Sequence, residues 1–178
     1  SPQVIPPFSL FWVNMVHDYW TLREDPDFIK SFLPGVDSVL NWFIQRIDPD
    51  TGLLGKVAYW NFVDWTDEWP WINEKRIGGV PLGGRFDGQS SILSMQLAYA
   101  LERASALNAH YGKPEQARKY KEQAEKLSRS VFEKCWDESR QYLSDTPDKT
   151  EFSAHAQILG VLTTTIPESD QKAIIKRV

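Results

Sequence analysis

Gly88-Gln89-Ser90-Ser91-Ile92-Leu93-Ser94-Met95-Gln96-Leu97-Ala98-Tyr99-Ala100-Leu101 is apolar on nearly every side of a helix, through Ile92, Leu93, Met95, Leu97, Tyr99 and Leu101. A helix of that kind has to be covered all round. After Gly112, Pro114 opens a helix of the opposite kind. Its apolar positions Ala117, Tyr120, Ala124, Leu127, Val131 and Cys135 recur every three or four residues, while Lys119, Lys121, Glu122 and Lys126 fill the far side. That is a one-faced surface helix. An inner helix followed by an outer one is the unit of a helical-hairpin array.

The same alternation appears on both sides of this pair. Upstream, Phe8 to Leu22 is apolar round most of its circumference and predicts an inner helix, preceded by an extended lead-in carrying Pro2, Pro6 and Pro7. Asp25-Pro26 is an N-cap with proline at the first helical position. From there Phe28, Phe32, Val36, Val39, Phe43 and Ile47 form one stripe, in which Pro34-Gly35 predicts a kink or an offset. Downstream, Trp136 to Pro147 reads as a short irregular or hairpin-like connection. Ser153 to Thr164 is then a mostly apolar helix, and Pro167 to Val178 an amphipathic one. The hairpins are therefore about 8–48, 88–135 and 153–178 within a single domain, 1–178. The inner helices start near residues 8, 88 and 153, far wider apart than the ~34-residue period of a tetratricopeptide solenoid. The class is all-α, and unequal pairs joined by a long loop favour a toroid of hairpins with a pocket at one end.

Composition narrows the function. The 178 residues carry Lys+Arg 20 against Asp+Glu 24, a net charge of −4, which argues against nucleic acid as a partner. No run is apolar and long enough to span a bilayer, so no membrane partner is expected. The chain opens Ser1-Pro2-Gln3 without a leader or a methionine, as a processed or excised piece would. Cys135 is the single cysteine, which excludes an internal disulfide, and core packing is its expected role. His17, His110 and His155 lie far apart and show no metal-ligand spacing, and Asp64, Asp67 and Glu68 lack a glycine-pivoted calcium loop, so no metal or cofactor is expected. His17 reads as a partly buried structural group and His110 as a cap or surface residue. Gly78-Gly79 and Gly83-Gly84 lack the lysine and strand context of a phosphate cradle.

Eight tryptophans are the unusual feature. Trp12, Trp20, Trp42 and Trp136 lie on or beside helices, whereas Trp60, Trp65, Trp69 and Trp71 share one loop, 53–87, with carboxylates. In Tyr59-Trp60-Asn61-Phe62-Val63-Asp64-Trp65-Thr66-Asp67-Glu68-Trp69-Pro70-Trp71, aromatic faces stand beside three acids and an amide. Sugars need that combination: their C–H faces stack on tryptophan and their hydroxyls bond to carboxylates and amides. The alternative is plain packing, with the tryptophans filling space under a long loop and Asp67 and Glu68 facing water. His155 opens an inner helix, where a side chain can reach the pocket mouth; a satisfied structural histidine is the default reading.

Three segments carry a family resemblance: Ile5-Pro6-Pro7-Phe8-Ser9-Leu10-Phe11-Trp12-Val13; Leu33-Pro34-Gly35-Val36 with Asn41-Trp42-Phe43; and Trp60-Asn61-Phe62-Val63-Asp64-Trp65. Together they resemble the catalytic domain of glycoside hydrolase family 78 α-L-rhamnosidases. Phe152-Ser153-Ala154-His155-Ala156-Gln157 is similar to the family's Ser-Gln-His-x-Asn helix start, departing at Ala154 and Gln157. The resemblance implies an (α/α)6 toroid, of which three hairpins would be half. It also implies inverting hydrolysis of terminal α-L-rhamnosyl bonds, with the general acid before the matched part and the general base in a later hairpin. No catalytic pair is then expected within these residues. Trp60, Asn61, Asp64, Trp65, Asp67 and His155 are the expected substrate-binding residues, and Asp64 or Glu68 the fallback acid/base. The implied partners are a rhamnose-containing glycoside or polysaccharide and the rest of the domain, with self-association through the cut faces. A non-catalytic carbohydrate-binding or helical interaction module is the competing expectation.

Overall fold

The computed structural model describes residues 3–23, 25–74, 76–85 and 87–178. Among these residues six helices follow in order: α1 (Pro6–Leu22), α2 (Pro26–Ile44), α3 (Ser91–His110), α4 (Pro114–Cys135), α5 (Ala154–Leu162) and α6 (Glu168–Ile175). Between α4 and α5, β1 (Trp136–Asp137) and β2 (Tyr142–Leu143) pair antiparallel with Trp136 opposite Leu143. The chain is all-α, as its patterning requires.

Local chemistry sets the helix boundaries. Pro6 and Pro7 sit in the first turn of α1, where a missing N–H costs nothing, so the expected extended lead-in stops before them. Pro2 lies outside the described residues. The Asp25 side chain accepts from the Phe28 N–H at 3.2 Å and starts α2. Ser90 does the same for α3 through the Leu93 N–H. That helix begins at Ser91 rather than Gly88, because Gly88 takes φ +83, a conformation no helix contains. Helix α2 runs through Pro34 as one element, and Gly35 leaves room for the Trp12 ring, which a Cβ would meet at 3.0 Å. Its buried stripe is Ile29, Leu33, Val36, Leu40 and Phe43, one position off the expected one for most of its length, and Phe28 is 45% exposed.

Helices α1, α3 and α5 form an inner row. Helix α3 packs between α1 and α5, while α2, α4 and α6 lie against their own partners. Position in that row decides burial. Flanked on both sides, α3 buries Ile92, Leu93, Met95, Leu97 and Leu101 almost completely. Helix α1 has one inner neighbour and leaves Phe8, Phe11, Met15, Tyr19 and Leu22 exposed, so the expectation that it is buried on most sides fails. Ile158 and Leu162 of α5 are exposed in the same way.

The apolar interior divides into two clusters. One gathers residues of α1 and α2 with Leu93, Leu97, Leu101, Tyr120, Ala124 and Leu127. The other gathers Leu53, Trp69, Ile92, Met95, Val131, Cys135, Trp136 and Leu143 with α5 and α6. Cys135 has no exposed surface, and burial pushes its thiol up to about 12. The thiolate is the reactive form, so iodoacetamide at pH 8 is expected to label Cys135 only after denaturation. Mass spectrometry checks this, and rapid labelling of the native chain would contradict it.

Candidate functional site

The described residues of the loop from 53 to 87 have little regular structure, yet they are tied down at many points. Its entry is the turn after α2, where Asp48 Oδ1 accepts from the Asp50 N–H at 2.8 Å and the Thr51 N–H at 3.2 Å. The Leu54 N–H then donates to Ser94 Oγ at 2.9 Å, which fastens the loop to α3. Deeper in, Asn61 Nδ2 donates to the carbonyls of Val57 at 2.8 Å and Gly84 at 2.9 Å. The Val63 N–H reaches Gly79 O, and the Gly79 N–H reaches Trp69 O, both at 2.8 Å. Gly79 takes φ +63, and a Cβ there would stand 2.5 Å from Asp64 O. Gly78 lies between Trp65 and Trp71, where a Cβ would meet their rings at 3.0 and 2.9 Å. This glycine pair therefore serves aromatic packing.

The loop tryptophans divide by what they face. Trp60, Trp65 and Trp71 join Phe62 in an outer cluster with centroids 5.0 to 6.1 Å apart, and Trp65 is 61% exposed. The Trp60 ring N–H is used on Gly78 O at 2.9 Å. Trp69 points inward. It is 2% exposed, and its ring lies 4.9 Å from that of His155.

Trp69 and His155 border a cavity of about 460 Å³. Thr66 and Glu68 line it from the loop, Asp145 from the segment after β2, and Glu151 to His155 from the approach to α5. His155 Nε2 lies 3.1 Å from Asp64 Oδ2, and against a carboxylate acceptor that nitrogen is the donor. Asp64 Oδ1 accepts the Trp65 N–H at 2.8 Å. Both oxygens of Asp64 are thus engaged, which fixes the carboxylate beside the cavity mouth. Glu68 is fully exposed, and its own backbone N–H holds its carboxyl below the usual range. The cavity has the aromatic wall and the few convergent polar groups of a small-molecule site.

The structure brings some of the expected residues together. Asp64 and His155, far apart in sequence, meet directly, and Glu68 lines the same cavity. Asp67 is exposed beside it. Trp60 and Trp65 stand in the outer cluster, while Asn61 is 2% exposed with its amide turned onto backbone carbonyls. The two departures from the helix-start motif have different settings. Ala154 faces the cavity, whereas Gln157 is buried and bonds both ways to Leu143, accepting its N–H at 2.9 Å and donating to its carbonyl at 2.6 Å. Among the described residues no group of three or more His, Cys, Asp or Glu side chains is placed to hold a metal ion.

Asp145 and Trp69 are among the cavity residues not expected from the sequence, together with Thr66 and the 151–154 approach to α5. Asp145 lies in a Ser-Asp-Thr-Pro run that reads only as a turn, and nothing in its spacing ties it to the tryptophan loop. Trp69 belongs to the tryptophan group, but period and spacing do not say which of four neighbouring rings turns inward.

A family model described as amylo-alpha-1,6-glucosidase matches residues 6–169. No curated protein matches the chain by sequence. Among solved structures, the chain resembles a GH78 family rhamnosidase of Bacillus sp. GL1, with TM-score 0.77 and 24% identity over 98% of this chain and 17% of that one. It also resembles a rhamnosidase from Klebsiella oxytoca with rhamnose bound, with TM-score 0.78 and 20% identity over 99% of this chain and 30% of that one. These likenesses show a shared helical fold, and the chain spans less than a third of either enzyme.

Proposed function

Because the chain belongs to the amylo-alpha-1,6-glucosidase family, we propose that it forms part of a glycoside hydrolase and supplies sugar-binding residues to the pocket. The observation that carries this reading is the Asp64–His155 pair at 3.1 Å, set beside the Trp69 wall of the cavity. In it, Asp64, Glu68 and His155 bond to the sugar's hydroxyls, while the buried Trp69 ring backs His155 from beneath. The proposed substrate is a terminal α-L-rhamnoside, which the fold likeness to two rhamnosidases supports. The proposed reaction is inverting, with an acid and a base ~6.5–9.5 Å apart contributed by other parts of a longer protein. In the toroid so proposed, this chain provides three of the six hairpins.

Aryl α-L-rhamnoside offered to this chain, and to a chain extended at both ends, tests the reading. L-Rhamnose is expected to shift the His155 and Trp69 NMR signals of this chain without turnover, and the extended chain is expected to hydrolyse the glycoside. Turnover by the 178 residues alone would overturn the division of labour. Binding without turnover by the extended chain would favour a carbohydrate-binding module. The family description favours a second ligand, an α-1,6-linked glucoside in the same cavity. Isomaltose titrated in parallel with L-rhamnose separates the two.

The exposed apolar rows on α1 and α5 are the proposed contacts to the rest of the domain. Met15 is 65% exposed, Leu22 78% and Leu162 51%, a liability for an isolated chain. Sedimentation velocity is expected to show self-association of this chain that weakens in a Met15→Glu, Leu162→Glu double variant. A monomer at all concentrations would remove the proposal.

A further inference from the structure

Asp145 stands in the cavity wall at 1% exposure, a costly position for a carboxylate. Its Oδ1 accepts two hydrogen bonds from Ser153, from the N–H at 3.0 Å and from the hydroxyl at 2.7 Å. Its Oδ2 is buried with no hydrogen-bond partner among the described residues. Burial pushes this carboxyl above its usual range, while the Ser153 hydrogen bonds and the charge of His155 pull the other way. The main chain is held too. The Asp145 N–H donates to Glu151 O at 2.8 Å, and its carbonyl accepts the Ser91 N–H at 2.9 Å. One residue thus joins the first turn of α3 to the approach of α5.

Ser153 is the N-cap of α5, its hydroxyl oxygen accepting the Ala156 N–H at 3.2 Å. His155 is the second residue of that helix, so the direction of its ring follows from where Ser153 sits. A half-satisfied buried carboxylate is a poor choice for stability, since leaving one oxygen unpaired carries its full desolvation cost. It is a good choice for fixing geometry, because two charge-assisted bonds to one residue leave that residue a single position.

We propose that Asp145 is a positioning residue: it fixes Ser153 and thereby sets His155 between Asp64 and Trp69. The functional value of this rests on reading the cavity as a sugar site, but the geometry is testable without a sugar. The ring protons of His155 lie close enough to the Trp69 indole to carry a ring-current shift in NMR spectra of this chain. Asp145→Asn keeps the acceptor and the shape, and is expected to retain that shift. Asp145→Ala withdraws the acceptor and is expected to lose it at temperatures well below its melting point. Asp145→Ser, whose hydroxyl is too short to replace the carboxylate, carries the same test if the alanine variant does not fold. With L-rhamnose as the probe, Asp145→Asn is expected to bind within about twofold of the parent and Asp145→Ala about tenfold more weakly, the worth of one hydrogen bond. An unchanged His155 shift in the alanine and serine variants would overturn the proposal, as would an equal loss in the asparagine variant. If the parent binds no sugar while the ring shifts behave as expected, the positioning role stands and the sugar reading falls.

Discussion

Trp69→Ala is expected to remove about 3–5 kcal/mol of stability and to abolish sugar binding at the cavity. The ring is 2% exposed and packs in the second cluster with Leu53, Ile92 and Met95. Truncation therefore opens a large void between the loop and α3, which a close-packed interior cannot refill. The same ring packs against His155 at the edge of the cavity, so the site loses the support of that side chain. Trp65→Ala is the contrast: at 61% exposure it is expected to cost less than about 1 kcal/mol. Urea unfolding followed by circular dichroism measures both. Equal losses in the two variants would mean that the inward and outward tryptophans are not distinguished as the structure distinguishes them.

The second large effect is expected at Gly79. An alanine there has to hold a left-handed backbone, which costs about 1–2 kcal/mol in any context. Its Cβ also stands 2.5 Å from Asp64 O and 2.5 Å from the Phe62 ring, and the first of these is backbone that cannot step aside alone. Gly79 O accepts the Val63 and Asp64 N–H groups at 2.8 and 3.3 Å, so relief of the clash displaces the loop segment that carries Asp64. A loss above about 2 kcal/mol is expected, together with a changed His155 signal as its 3.1 Å partner moves. Gly112→Ala separates strain from clash. It has φ +75 with nothing within 4 Å of the added Cβ, and only the backbone cost of about 1 kcal/mol is expected. If the two variants melt together, the crowding at Gly79 is immaterial.

What the sequence disclosed follows from which forces act locally. The pairing of an all-round apolar helix with a one-faced helix was plain in 88–101 and 114–135, because burial writes itself into periodicity. The cap at Asp25 was legible too, because capping acts within three residues; those at Ser90 and Ser153 emerged only with the structure. The exposure of Phe8, Met15 and Leu22 was not legible, since apolarity records that a face needs cover and not whether the cover is present. At the site, the tryptophan and carboxylate loop stood out by composition, and His155 by its place at the head of an inner helix. Their meeting depends on the way Gly79 folds the loop back towards α5, a long-range matter that no spacing encodes. Asp145 was hidden for the same reason: its importance lies in Ser91, in the first turn of α3, and Ser153, the N-cap of α5.

Helices α3 and α4 each serve both apolar clusters. Ile92 and Met95 face one interior while Leu93 and Leu97 face the other, and along α4 Tyr120 and Leu127 give way to Val131 and Cys135. Neither interior keeps its walls if these two rods fray, and neither rod survives the loss of one interior. The consequence is thermodynamic coupling across the whole length of the chain. Amide protons in the middle of α3 and α4 should exchange only through complete opening, while those of α1 and α6 escape earlier through smaller openings. The two ends can loosen separately, but the middle gives way once and takes both interiors with it.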